Sequence, residues 1–162
     1  MGHIMKIVRN PFVVVLFLSL TLAACSKNGA NNGMGSATPG SPQDFTLNVG
    51  DRVFFDLDST TIRPDGQQTL TRQAQWLNKY PKYAITVEGH SDERGTREYN
   101  IALGQRRAVA ARDYLISQGV PANRLRTISY GKERPVAVCD EARCWNQNRR
   151  AVTVLNGIGS GS

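Results

Sequence analysis

A dense run of charged and polar residues occupies the stretch VEGHSDERGT, at positions 87–96. It includes the end of a short β-branched run, Ile85 to Val87, that alternates in the manner of a half-buried strand. The polar groups therefore lie at the carboxyl end of a strand, where α/β proteins commonly bind ligands. A solvated surface loop is the alternative, and the charge of the stretch does not decide between the two.

Metal binding and catalysis are the first functions to test against these residue types. Glu88, His90, Asp92 and Glu93 offer oxygen and nitrogen ligands, but neighbours along one strand end reach only part of a coordination sphere. A hydrolase needs a nucleophile with a base beside it, and the only other histidine is His3 near the N-terminus. The sequence contains neither G-x-S-x-G nor H-E-x-x-H. We therefore predict no metal site, no cofactor and no enzymatic activity.

Ligand binding gains support from the helix that follows. Asn100, Leu103 and Arg107 are spaced i, i+3 and i+7, so they share one helical stripe. Asp92 precedes this helix and Asp58 ends what we take to be the neighbouring strand, so both carboxylates would reach one rim. A guanidinium with carboxylates suits an amino acid, which carries both charges. The alternative is that Arg107 and Asp92 form an ion pair with each other. The residues alone support these two interpretations equally.

Hydrophobic periodicity predicts two strand–helix units followed by two further strands. We therefore expect an α/β (α+β) sandwich, in which helices pack over one mixed β-sheet of about four strands. The order of the last two strands does not follow from the sequence. The predicted elements are a strand at 53–58, a helix at 64–80, a strand at 83–90, a helix at 97–119 capped by Gly119, a strand at 125–131, a polar loop at 131–148 and a strand at 150–157.

The N-terminal residues have the layout of an export signal. Lys6 and Arg9 precede an uncharged apolar stretch at 11–22 that is too short for a comfortable transmembrane helix. The sequence LAAC that ends at Cys25 resembles the lipobox of bacterial lipoproteins, which implies cleavage before Cys25 and lipidation of that residue. Because Ser26 rather than Asp follows, the resemblance also implies an outer-membrane anchor.

The segment after Cys25 is rich in Gly, Asn, Ser, Ala and Pro and has almost no large apolar side chain. It cannot offset the entropy of ordering, so we predict a flexible tether with an end-to-end distance of roughly 20–25 Å. The net charge of +7 would permit an anionic partner, but export excludes nucleic acid. The expected organisation is a lipoprotein signal peptide at 1–24, the lipidated cysteine and tether at 25–43, a folded domain at 44–157 and a disordered tail at 158–162.

Four separated segments resemble the OmpA-like C-terminal domain family, and within it the peptidoglycan-associated lipoproteins: VFFDLDSTTIRPDG, VEGHSDERGTREYNIALGQRRAVAARDYL, ISYGKERPV and NQNRRA. The resemblance runs from about Arg52 to Val154 in order and spacing. It implies non-covalent binding to the meso-diaminopimelate of peptidoglycan stem peptides, by a domain that ties the outer membrane to the wall from its periplasmic face. It also implies TolB and the other Tol–Pal components as partners, in envelope integrity and in constriction during cell division. A wall-binding lipoprotein outside that system is the alternative.

The resemblance further implies roles for nine residues. Asp92 would accept hydrogen bonds from the ligand's ammonium, and Arg107 would grip its carboxylate. Asn100 would support the site and Leu103 would form a wall. The segment NRRA at 148–151 also matches the family, and we interpret it as structural. The remaining implied pocket residues are Leu57 and Asp58 and, largely through backbone groups, Glu93, Arg94 and Thr96.

Cys139 and Cys144, in the segment CDEARC, are not required by the family pattern. In an oxidising periplasm we expect them to form a disulfide, provided that the turn brings their Cα atoms within roughly 4.4–6.8 Å. Two free thiols or a metal clip are the alternatives, and no further ligand pattern supports the clip.

Overall fold

The structure is a computed structural model, and it describes residues 37–157. The predicted signal peptide, the lipidation site at Cys25, most of the tether and the tail at 158–162 lie outside the described residues. The elements are α1 (Pro42–Asp44), a π-helical turn (Phe45–Val49), β1 (Arg52–Phe54), α2 (Pro64–Lys79), β2 (Ala84–His90), α3 (Arg97–Ser117), a 3₁₀ turn (Ala122–Arg124), β3 (Leu125–Gly131), α4 (Ala142–Asn148) and β4 (Arg150–Asn156).

The four strands form one mixed sheet in the order β1-β4-β2-β3. β2 and β3 are parallel and α3 connects them, whereas β4 is antiparallel to both β1 and β2. The predicted mixed sheet with helices packed on it is confirmed. The expectation that β1 and β2 are neighbours is wrong, because the last strand inserts between them.

The two long helices pack on one face of the sheet. Ile85 and Val87 of β2 are fully buried under them, while Thr86 and Glu88, on the opposite face, are half-buried. This alternation is the period-two pattern of a strand with one covered face. The buried hydrophobic cluster between the helices and the sheet comprises Phe45, Val53, Phe55, Leu70, Ala74, Trp76, Leu77, Tyr83, Ile85, Val87, Ala108, Ala111, Leu115, Val120, Leu125 and Ala151.

A direct backbone contact fixes α3 over the end of β2. A Cβ atom built on Gly89 would lie 1.7 Å from the carbonyl oxygen of Gly104, and one built on Gly104 would lie 2.9 Å from the carbonyl oxygen of Gly89. Only glycine permits so close an approach. The contact brings the following turn of α3, which carries Arg107, against the last residues of β2.

The first strand is shorter than predicted. It ends at Phe54, and Leu57 and Asp58 lie in a turn in which Asp58 has φ 52°. The apolar alternation continues past Phe54, but the carbonyls of Asp56 and Ser59 accept hydrogen bonds from Arg107. After Phe54 these backbone carbonyls therefore bond to the side chain of Arg107 and not to a neighbouring strand.

The segment predicted as a polar loop at 131–148 contains the short helix α4. Its buried residues are Cys144 and Asn148, too few to produce a visible helical period. A disulfide joins Cys139 to Cys144, with the Cα atoms 5.7 Å apart, and it ties the preceding loop to the helix.

Contacts with the folded domain begin before residue 44, within the segment expected to be tether. The carbonyl of Gly40 accepts a hydrogen bond from the Tyr83 hydroxyl at 2.7 Å, and Gly40 itself is buried. Asp44 accepts one from the Trp76 indole at 2.8 Å. Residues from about Gly40 onward are thus attached to the core.

Candidate ligand-binding site

A cavity of about 380 Å³ opens beyond the ends of β1 and β2, beside the first half of α3. Its lining includes seven of the nine residues that the family resemblance implies, together with four others. The seven are Leu57, Asp58, Asp92, Arg94, Asn100, Leu103 and Arg107, and the four are Ser91, Gly95, Tyr99 and Arg149.

Arg107 is the largest fully buried side chain of the described domain, with 0% of its surface exposed. Its guanidinium donates to the carbonyls of Ser59 (2.9 Å), His90 (2.9 Å) and Asp56 (3.0 Å). A guanidinium has five N–H groups, so these three bonds leave two N–H groups for a ligand. Burial, helped by the charge of Arg149, lowers the pKa of Arg107 to about 10, so the side chain is still charged at neutral pH.

Asp92 is 5% exposed, and cations surround it. Oδ2 accepts from Arg94 (2.7 Å) and Arg149 (3.0 Å), while Oδ1 accepts from the backbone and side chain of Arg94 at 3.2 Å. Burial alone would raise the pKa of Asp92, but the bonds from the two arginines outweigh burial and hold the pKa below its ordinary value. Asp92 is therefore ionised at neutral pH.

Arg107 and Asp92 do not pair with each other. The ion pairs of Asp92 within residues 37–157 are with Arg94 and Arg149, and those described residues provide no carboxylate partner for Arg107. The ion-pair interpretation of Arg107 and Asp92 is therefore wrong. Among the described residues, the buried guanidinium of Arg107 is hydrogen-bonded only to neutral backbone carbonyls. The nearby carboxylate of Asp92 is paired with Arg94 and Arg149 instead.

Asp58 provides the second carboxylate of the lining. Its Oδ1 accepts a short hydrogen bond from the Tyr99 hydroxyl, and this contact raises the pKa of Tyr99. Asp58 adopts the left-handed conformation at φ 52°, which aspartate tolerates better than most residues. This turn places Asp58 on the cavity lining beside Leu57, which is exposed.

The loop that carries Asp92 is held by the start of α3. Asn100 donates to the carbonyls of Arg94 (2.8 Å) and Thr96 (3.0 Å). Thr96 caps α3 by accepting from the backbone of Tyr99 at 3.2 Å. Gly95, with φ +87°, provides the turn between them. Asn100 is thus a support of the loop as well as part of the lining.

Glu93 and Thr96 are not among the residues that line this cavity. Thr96 is the helix cap just described. Glu93 points to α4, where its carboxylate accepts a short hydrogen bond from the Trp145 indole. The same indole ring stacks with the guanidinium of Arg94, 3.8 Å from the ring centroid, so α4 braces the loop at two consecutive residues.

Sequence reasoning missed three polar residues of the lining. Arg149 belongs to the NRRA segment that we interpreted as structural, yet its side chain bonds to Asp92 and to the carbonyl of Phe55 at 3.1 Å. Tyr99 lies four residues before Leu103, on the same face of α3, so helical spacing could have indicated it, but the family resemblance gave it no role. Ser91 is 3% exposed, and its hydroxyl has no hydrogen-bond partner within residues 37–157. The family match at NRRA was the one signal that could have indicated Arg149.

His90 lies beneath the site and is neutral. Burial, followed by the charge of Arg150, lowers the pKa of His90 to about 4. Its ring stacks on Tyr130 with centroids 5.7 Å apart, and the 3.5 Å contact of Nε2 with Glu88 is not an ion pair when the imidazole is uncharged. Within residues 37–157 no group of three or more His, Cys, Asp or Glu side chains could hold a metal ion. None of the helices described here combines the length and apolar character needed to span a bilayer.

The fold and the site together define an α/β domain with a cavity lined by charged residues at the ends of its first two strands. The model of the OmpA family matches residues 54–150. The peptidoglycan-associated lipoprotein of Brucella melitensis is 66% identical, over 98% of this chain and 99% of its own length, and that of Agrobacterium fabrum is 68% identical, over 95% and 92%. The crystal structure of the peptidoglycan-associated lipoprotein from Burkholderia pseudomallei superposes with a TM-score of 0.67 and 40% identity, covering 72% of this chain and 100% of that one. The chain belongs to the OmpA family.

Proposed function

We propose that the protein is a non-enzymatic outer-membrane lipoprotein that binds the meso-diaminopimelate of peptidoglycan stem peptides non-covalently and thereby ties the outer membrane to the wall. The observation that carries the proposal is the buried guanidinium of Arg107, which has no carboxylate partner among the described residues and lines the same cavity as Asp58 and Asp92. The names of the relatives from Brucella and Agrobacterium support the same reading.

The chemistry of the cavity fits one end of diaminopimelate. In a stem peptide that is not cross-linked, the side-chain end of this residue carries a free ammonium and a free carboxylate on one carbon. The two remaining N–H groups of Arg107 would bind the carboxylate as a bidentate pair. The ammonium would then lie near the carboxylates of Asp58 and Asp92.

Asp92 needs a rearrangement to accept that ammonium. A carboxylate has about four acceptor positions, and Arg94 and Arg149 already supply four donors to Asp92. The side chain of Arg94 is 39% exposed, so it is the partner that can move at small cost. Asp58 uses only Oδ1, toward Tyr99, among the bonds of the described residues, and its Oδ2 would accept from the ammonium directly.

Anchoring and partners complete the proposal. The lipidated residue would be Cys25, and residues 25 to about 39 would give the domain its reach from the membrane to the wall. We also propose TolB and the other Tol–Pal components as protein partners. A wall-binding lipoprotein outside that system is the alternative, and it would bind sacculi without binding TolB.

The test is co-sedimentation of the full-length protein, in detergent, with purified sacculi. Wild type should pellet with sacculi of the diaminopimelate type but not with sacculi that have lysine in its place, because lysine lacks the carboxylate that Arg107 would bind. Arg107→Ala and Asp92→Ala should stay in the supernatant. Arg106→Ala is the matched control, since Arg106 is the exposed neighbour of Arg107, and it should pellet like wild type.

Other outcomes would overturn the proposal or separate its parts. Equal binding to both types of sacculi, or pelleting of a folded Arg107→Ala variant, would show that the cavity does not bind diaminopimelate selectively. Release of muropeptides during incubation would contradict the non-enzymatic assignment. Binding of sacculi without capture of purified TolB would select the alternative outside the Tol–Pal system.

A further inference from the structure

A second cavity of about 320 Å³ adjoins the loop that carries Asp92. Ser91 and Glu93 from that loop line it, and most of the remaining wall is apolar, formed by Pro135, Ala137 and Val138. Ser91 also lines the first cavity, so the two cavities meet at this residue.

Most polar side chains around the second cavity are already engaged. Glu93 accepts from the Trp145 indole. Lys132 donates to the carbonyls of Glu93 (3.1 Å) and Gly95 (2.8 Å), which holds the loop between the cavities. Asp140 is exposed at the lining. An anionic ligand group in this cavity would be repelled by the carboxylates of Glu93 and Asp140, whereas a small aliphatic ligand group would contact the apolar wall.

The apolar wall is held in shape without a ligand. Asn148 accepts from the backbone of Val136 (2.9 Å) and of Ala137 (3.2 Å), and it donates to the carbonyl of Ala137 at 2.8 Å. The disulfide between Cys139 and Cys144 closes the same segment. A preformed wall lowers the entropic cost of binding a small group.

Ser91 provides a buried hydroxyl where the two cavities meet. Its side chain is 3% exposed, and its hydroxyl has no partner among the described residues. Buried polar groups are normally hydrogen-bonded. A peptide group that passes from one cavity to the other would supply the missing partner.

We infer that the second cavity binds the alanyl residue that follows diaminopimelate in a stem peptide. This inference rests on the proposed function. With the free end of diaminopimelate at Arg107, the short methylene chain of that residue leads back to the peptide backbone. The next residue of the stem, alanine, then places its methyl group against Pro135 and Val138, and the peptide bond before it meets the Ser91 hydroxyl.

The experiment compares two synthetic stem peptides by calorimetry on the full-length protein in detergent. One is the tripeptide that ends in meso-diaminopimelate, and the other is the tetrapeptide with one further D-alanine. Both peptides are amidated at their C-terminus, so neither brings a terminal carboxylate near Glu93 and Asp140, which line the second cavity, and the comparison isolates the alanyl residue. The tetrapeptide should bind about fourfold tighter, which is the factor that ~0.8 kcal/mol for one buried methyl group corresponds to.

Two variants localise the effect. Val138→Asp places a charge in the apolar wall and should remove the preference for the tetrapeptide while leaving tripeptide affinity unchanged. Val136→Asp is the matched control, because Val136 is also exposed and lies on the same loop but does not line the cavity. It should keep the fourfold preference.

The outcomes distinguish this inference from the proposed function. Equal affinity for the two peptides in wild type, or equal behaviour of the two valine variants, overturns the alanyl site while the diaminopimelate site stands. If neither peptide binds and the protein does not pellet with sacculi, the proposed function fails and the inference fails with it.

Discussion

Replacing Arg107 by alanine tests the central feature of the site. Three N–H groups of this side chain bond to backbone carbonyls and stabilise the fold, and the other two would bind the ligand. The variant loses three hydrogen bonds from a charged donor to the carbonyls of Asp56, Ser59 and His90. It also removes the buried charge itself. These two effects have opposite signs, so the expected change in stability is their difference.

The magnitude follows from the structure. Hydrogen bonds to charged groups contribute ~1.5–3 kcal/mol each, so three of them amount to ~4–9 kcal/mol. The fall in the pKa of Arg107 from its ordinary value to about 10, caused by burial and then by the charge of Arg149, corresponds to a net cost of ~3 kcal/mol for the charged side chain, which is absent in the variant. We therefore expect Arg107→Ala to lower the free energy of unfolding by ~1–6 kcal/mol. Affinity for diaminopimelate should fall about 30-fold or more, because truncating one member of a buried charge pair costs ~2–5 kcal/mol.

The assay is urea unfolding followed by circular dichroism, with calorimetric titration of the tripeptide under conditions in which each variant is folded. Arg106→Ala should change the free energy of unfolding by no more than ~0.5 kcal/mol and leave binding intact. Arg107→Lys keeps the charge but not the planar fork, so it should retain more stability than alanine and still bind weakly. Full stability of Arg107→Ala, or wild-type affinity in the lysine variant, would refute the reasoning.

Two further predictions concern the framework beneath the site. The pKa of His90 is lowered from 6.5 to about 4, so the unfolded chain binds a proton at higher pH than the folded one. The free energy of unfolding should therefore fall by ~3 kcal/mol as the pH drops from about 7 to about 4. His90→Gln should lose that part of the slope in urea titrations at several pH values, and an unchanged slope would exclude His90 as its source. Gly89→Ala should destabilise the fold by ~3 kcal/mol or more in the same urea assay, since the new Cβ would lie 1.7 Å from the Gly104 carbonyl oxygen. The control Gly157→Ala, whose Cβ meets nothing within 4 Å, should be neutral, and equal effects of the two alanines would contradict the close helix–strand contact.

The sequence was sufficient for the elements that carry strong periodicity. The long helix α2 and the strand β2 bury regular apolar stripes, so their patterns survive in the sequence. The stripe that α3 buries is apolar at Ala108, Ala111 and Leu115 but polar nearer the site, and its apolar part was enough to indicate the helix. The short helix α4 buries little, and a disulfide and side-chain contacts hold it, so no period indicated it. The position of β4 between β1 and β2 depends on which edges pair in three dimensions, and local patterns carry no such information.

The candidate site followed from the sequence only in part, for a related reason. The stripe of Asn100, Leu103 and Arg107 is local to one helix and could be read directly. Arg149 reaches Asp92 because β4 inserts next to β1, and this places the start of β4 beside the end of β1, where Phe55 donates to the carbonyl of Arg149 at 2.9 Å. Without the strand order, the side chain of Arg149 had no reason to be assigned to the cavity.

The electrostatics of the cavity connect its stability to its capacity to bind. Its lining contains three guanidinium groups, from Arg94, Arg107 and Arg149, but only two carboxylates, from Asp58 and Asp92. Burial is the main cause of the lowered pKa of Arg107, and repulsion from the charge of Arg149 adds to it. A ligand carboxylate placed between Arg107 and Arg149 would relieve the repulsion between them. The two guanidinium groups whose repulsion destabilises the empty domain would therefore be the groups that bind the ligand. Ligand should accordingly protect the wild-type fold in proportion to its affinity, and the folded Arg107→Ala variant should lose this protection.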